Sequence, residues 1–215
     1  MFHSIRFTNS IPFIKDSLSR PPLRRGFLFI PLALAWLALS PVARAVIPAP
    51  DGGYFNFNTA EGDDALFSLT AGGENMANGY RALYSNTTGN SNTASGAFAL
   101  YSNTTGEFNT ASGDSALYNN TTGGNNTANG VLALYHNTEG VQNTANGVQA
   151  LFGNITGSYN TANGFGGLYN NTTGIDNTAA GIVALFNNTT GIQNTATGSN
   201  ALSSNTIGAQ KYGHR

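Results

Sequence analysis

Residues 92–108 read N-T-A-S-G-A-F-A-L-Y-S-N-T-T-G-E-F, and residue 109 begins the same phrase again. The pattern N-T-A-x-G-x-x-A-L-Y-x-N-T-T-G-x-x, seventeen residues long, starts nine times: at Asn58, Asn75, Asn92, Asn109, Asn126, Asn143, Asn160, Asn177 and Asn194. A fixed short period is the signature of stacked units. One unit of this size cannot bury its own apolar side chains. The units must therefore stack into a solenoid, in which each coil touches only its neighbours.

Numbering each copy from its Asn, glycine occupies position 5 in every one, as at Gly79, Gly96, Gly113, Gly130, Gly147, Gly164 and Gly181. It also occupies position 15 throughout. Two glycines per copy read as two corners needing positive φ, with a strand-length segment between each pair. No proline follows Pro50, as expected where every strand pairs on both sides. The expectation is an all-β parallel β-solenoid, a β-roll of nine coils, about 40 Å long at the usual strand spacing. A helical repeat is disfavoured by the glycines, and disorder by apolar residues held in one phase through every copy.

Position 3 is Ala in all nine copies and position 8 is Ala in eight, which suits a thin interior. Position 10 is aromatic in eight copies. Position 12 is Asn in eight, including Asn86, Asn103, Asn120, Asn137, Asn154, Asn171 and Asn188. Strand alternation would put positions 8, 10 and 12 on one face and position 9 on the other. Position 9 is Leu in every copy, including Leu83, Leu100, Leu117, Leu134, Leu151, Leu168 and Leu185, between the freely varying positions 7 and 11. Either the aromatic or the leucine column must point away from the thin interior. The leucine column is read as the outward one, an apolar seam through which rods associate, with the aromatic column as the alternative. The Asn columns read as side-chain amide ladders along the axis.

The chain divides into a signal peptide (1–45), a linker and N-terminal cap (46–57), the nine coils (58–210) and a tail (211–215). The leader has a basic stretch ending at Arg24-Arg25, an apolar run over residues 26–40, and a small-residue cleavage signal at Ala43-Arg44-Ala45. The run is shorter than the roughly 20 residues that span a bilayer, so no membrane span is expected in the mature chain. Arg24-Arg25-Gly26-Phe27-Leu28 also resembles a twin-arginine motif. Export to the cell surface, the extracellular space or the periplasm follows. From residue 46 onward three basic residues face nine acids, which excludes the basic stripe that nucleic acid requires. Cysteine is absent.

No G-x-S-x-G, P-loop, H-E-x-x-H or G-x-G-x-x-G occurs, and the reading is not an enzyme. His3, His136 and His214 are scattered, and Glu61, Asp63 and Asp64 read as a solvated end coil rather than a calcium site. No cofactor or metal is expected. The N-T-T triplets read as turn residues rather than glycan acceptors. The threonine columns at positions 2 and 13 raise ice binding as an alternative. That chemistry wants two threonine columns side by side on one strand, whereas positions 13 and 14 are adjacent and face opposite ways.

The coils N-T-A-S-G (92–96 and 109–113) and N-T-A-N-G (126–130, 143–147 and 160–164) resemble the left-handed parallel β-roll heads of trimeric autotransporter adhesins. Similar repeats are found in phage tail fibres and bacterial surface proteins. The resemblance implies a non-catalytic, adhesin-like module, a homotrimer or other homo-oligomer, and a host, matrix or cell-surface ligand. A phage-fibre-type rod is the alternative. The family's apolar residue before the coil glycine is here polar Asn78, Ser95, Asn129 or Thr197.

Overall fold

The computed structural model describes residues 55–214. The leader, its cleavage site and most of the linker lie outside the described residues. A short 3-10 turn at Phe55–Phe57 precedes ten strands of three residues each. These are β1 (Thr59–Glu61), β2 (Met76–Asn78), β3 (Thr93–Ser95), β4 (Thr110–Ser112), β5 (Thr127–Asn129), β6 (Thr144–Asn146), β7 (Thr161–Asn163), β8 (Thr178–Ala180), β9 (Thr195–Thr197) and β10 (Tyr212–His214). They form one parallel sheet in sequence order. Each strand meets the same phase of the next coil, Ala94 against Ala111 and Ala111 against Ala128. The chain is thus a β-solenoid, and residues read as a tail supply its tenth strand.

Each strand is positions 2 to 4, and only its central residue points inward. In β4, Thr110 and Ser112 are exposed while Ala111 is buried. The strand ends at the position 5 glycine, whose φ is 142° at Gly130. A Cβ there would stand 2.6 Å from the carbonyl carbon of Gly147, so both conformation and contact demand glycine.

The second segment is not a strand, contrary to the expectation of two strands per coil. Positions 6 to 11 run as turns, with left-handed φ at positions 7 and 9: 55° at Ser115 and 53° at Leu117. The N–H groups of this segment alternate between neighbours. Gly113 and Ser115 donate to Ser95 and Ala97 of the coil before, while Leu117 and Asn119 donate to Ala133 and Tyr135 of the coil after. The left-handed residue at position 9 breaks strand alternation, so Ala116 and Leu117 are both fully buried. The leucine column therefore lies inside the coils, where Leu83, Leu100, Leu117, Leu134, Leu151, Leu168 and Leu185 are all buried. The outward placement of these leucines is corrected accordingly.

The second glycine also differs from expectation. No position 15 glycine has positive φ among the described residues. It is required by closeness instead: a Cβ on Gly123 would stand 2.5 Å from both Asn120 Oδ1 and the Gly140 carbonyl oxygen.

Two buried asparagine columns complete the interior. At position 1, the Asn126 backbone N–H and Nδ2 both donate to Asn109 Oδ1, at 3.0 and 3.1 Å, and Nδ2 also donates to the Gly140 carbonyl at 2.8 Å. At position 12, Asn120 Nδ2 donates to Asn103 Oδ1 at 2.8 Å and to the Gly123 carbonyl at 2.9 Å. No buried side-chain nitrogen or oxygen lacks a partner among the described residues. That matters because an unsatisfied buried amide costs about 1–3 kcal/mol. In the tenth coil Lys211 takes the position of Asn; its Nζ donates to Asn205 Oδ1 at 2.8 Å and its N–H to Asn194 Oδ1 at 3.0 Å, closing both columns. In the first coil Leu69 stands at position 12 and packs on the core.

Candidate interaction surfaces

With Asn, Ala, Leu and Gly inside, any contact with another molecule falls on the outward columns. The most ordered of these is position 10. Eight rings, from Phe67 to Phe186, form seven consecutive stacked pairs. Their centroids are 4.9 to 5.5 Å apart and their planes within 15° of parallel. The spacing follows from the coil repeat, which sets each ring over the next at near stacking distance. Phe67, at the end, is 65% exposed, and the rings of the middle coils are half-buried.

Positions 6 and 7 lie beside this ladder. The Phe98 ring is 5.9 Å from Tyr101, and Tyr80 meets Phe98 edge-on at 5.1 Å. Arg81 Cζ sits 5.0 Å from the Tyr80 ring centroid and 5.4 Å from that of Tyr84, while its Nε donates to Asp64 Oδ2 at 3.2 Å. The Asp64 contact holds the Arg81 guanidinium pKa above its ordinary value, partly opposed by desolvation. Further along, Val131, Val148, Phe165 and Ile182 occupy position 6 in four successive coils, all exposed. Desolvation, then the neighbouring Tyr101 and Tyr135, push the Tyr118 hydroxyl above its ordinary pKa, with Arg81 opposing.

The strand face presents a second pair of columns. Position 2 is Thr in seven successive strands, from Thr93 to Thr195, and beside it position 4 carries Ser95, Ser112, Asn129, Asn146, Asn163, Ala180 and Thr197. Asn129 Nδ2 donates to Asn146 Oδ1, and Asn146 Nδ2 to Asn163 Oδ1, both at 2.9 Å. The two threonine columns of the repeat have different duties. At position 13 the hydroxyls are engaged, as in Thr104 Oγ1 donating to the Thr121 carbonyl at 3.1 Å. Thr121 Oγ1 does the same to Thr138 at 3.0 Å. The position 2 hydroxyls make no such bond and stand free on the sheet.

His136 packs edge-on between Tyr135 and Phe152, with centroids 4.8 and 4.9 Å away, and its Nδ1 is 3.3 Å from Asn119 Nδ2. It lines a shallow open groove of about 600 Å³ with Ser102, Asn119, Thr121, Thr138, Gly153 and Ile155. That lining holds one titratable group and no acid to orient it. No cluster of three His, Cys, Asp or Glu side chains that could hold a metal forms among the described residues.

The structure thus gathers the Asn and Leu columns into the interior and the position 5 glycines onto one edge of the sheet. Of the two apolar columns, it is the aromatic one that reaches solvent. Compared with known proteins, the chain matches no family model, no curated protein and no solved structure. Among the described residues no helix is long and apolar enough to cross a membrane. The signal for the outward pair of positions 2 and 4 is T-A-x itself, a small inward residue between two outward ones.

Proposed function

We propose that this chain is an exported, non-catalytic surface rod, adhesin-head-like in the sense of the autotransporter resemblance, working as a homo-oligomer. One observation carries the reading: the recurrent buried positions all serve coil stacking, while two outward columns, the Thr of position 2 and the rings of position 10, recur along the rod. Such a surface suits many equal contacts with an extended partner, a matrix or a cell surface, better than one reaction centre. The basic, apolar and A-x-A leader supports export. Fractionation of producing cells with N-terminal sequencing tests it. The expected product is accessible to protease on intact cells and begins at Val46; a cytosolic product retaining residues 26–40 would overturn it.

A second reading, ice binding, is favoured by the free Thr hydroxyls of position 2 lying beside the Ser, Asn and Thr of position 4 on one face of the parallel sheet. Thermal hysteresis of the purified rod decides it: coincident freezing and melting points remove this reading.

A further inference from the structure

We propose that the stripe of positions 6, 7 and 10 across the fifth to eighth coils, centred on Val148 and Phe165, is the seam where a second copy of this chain docks. The inference rests on the oligomeric reading above and adds the surface that carries it. Val131, Val148, Phe165 and Ile182 are 43 to 57% exposed, in adjacent coils. They flank the half-buried rings of Tyr135, Phe152, Tyr169 and Phe186. Position 7 adjoins the ring column here too, since a Cβ on Gly166 would stand 3.4 Å from both Val183 Cγ1 and Phe186 Cε2. In the second coil Arg81 lies by both Tyr80 of position 6 and Tyr84 of position 10. Between Val131 and Phe186 these three columns hold no charged residue, whereas Asp63, Asp64, Arg81 and Asp114 occupy them toward the N-terminal end. Gln149 and the tyrosine hydroxyls apart, the strip is apolar, a surface that water disfavours and a partner covers.

Two features select the occupant. The rings stack on one another with planes 9 to 11° apart from Tyr135 to Phe186, so their faces are covered and their edges point outward. A flat ligand such as a nucleobase needs an open face, and along the strip only the last ring, Phe186, followed by Ser203, lacks a stacked ring on one side. The strip also repeats at the strand spacing of about 4.8 Å. A partner meeting each coil with an equivalent group must carry the same axial repeat, and a second copy of this rod does. Because each copy presents the same strip, symmetric association closes and leaves no apolar remainder.

The test is the mass in solution of the mature rod, by light scattering coupled to gel filtration, for wild type and for Val148→Asp with Phe165→Asp. Far-UV circular dichroism and melting report the fold. The wild type is expected at two or more chain masses, and the variant at one chain mass with an unchanged spectrum. Thr144→Asp with Thr161→Asp, on the sheet face, should leave the oligomer intact. A monomeric wild type overturns both the seam and the oligomeric reading. An oligomer that survives the Val148 and Phe165 changes, or is lost equally with the Thr144 and Thr161 changes, overturns the seam alone. If the aspartate variant unfolds, Val131→Ser with Ile182→Ser gives the same readout by a milder route: a folded monomer supports the seam, and a persistent oligomer overturns it.

Discussion

At the residue scale, three glycine positions look alike in the repeat and obey different rules. Position 5 needs positive φ, and position 15 needs the space of a missing methyl. Gly167, at position 8, needs neither: its Cβ would meet Ala162 Cβ at 3.4 Å and Ala179 Cβ at 3.7 Å, ordinary contact distances. The other eight copies hold Ala there. Gly167→Ala should therefore stabilise the rod by about 1 kcal/mol, from reduced unfolded-state entropy and one buried methyl. Gly123→Ala should destabilise it by about 3 kcal/mol, since the new methyl overlaps Asn120 Oδ1 and the Gly140 carbonyl. Urea melts of the two variants check both signs; a stable Gly123→Ala rod would mean that the coils can separate at this corner.

At the element scale, the ring column makes stability depend on alkaline pH. The Tyr118 pKa is raised in the folded chain, chiefly by desolvation and then by Tyr101 and Tyr135. An acid whose folded pKa lies above its unfolded value stays neutral longer when folded. Its contribution is fully present below the unfolded pKa, near 10.0, and is lost as pH rises through the folded value. The melting temperature should fall above about pH 10, and less steeply in Tyr118→Phe than in wild type. Equal slopes for the two proteins would show that the column does not resist ionisation. The same segment marks where sequence reading succeeded and failed. Period, parallel stacking, the inward Ala of position 3, the Asn ladders and the position 5 corner follow from residue type and spacing. The direction of Leu117 and Tyr118 does not, because left-handed φ at Ser115 and Leu117 overrides the alternation a strand would impose. One sign was present: position 9 is Leu in every coil, while position 10 admits Ser203, a polar residue that a dry interior would exclude. The tenth strand was hidden for another reason. Lys211 and Gly213 replace the Asn and Ala of the motif, yet Lys211 still bonds both amide columns.

At the scale of the whole molecule, each coil bonds only to the coils before and after it, so length should be adjustable in steps of one coil. Deleting residues 126–142 removes one period and joins Asn125 to Asn143. Asn143 then takes the place of Asn126 over Asn109, and Thr144 meets Thr110 in the register that Thr127 held. Every ladder is remade, and only one coil's share of stability is lost, about 1–3 kcal/mol from the typical stability per residue. Deleting residues 126–133 removes about half a coil instead. Leu134 then falls where the ladder expects Asn126, and Tyr135 and His136 fall where the sheet expects Thr127 and Ala128, so both Asn columns break across the junction. A buried amide left without its partner costs about 1–3 kcal/mol, and two columns lose theirs together. The whole-coil deletion should keep the far-UV spectrum per residue and melt in one transition at a slightly lower temperature. The half-coil deletion should lose that single transition. Equal damage from the two deletions would contradict nearest-neighbour stacking, because it would mean that phase within the coil is not what holds the rod together.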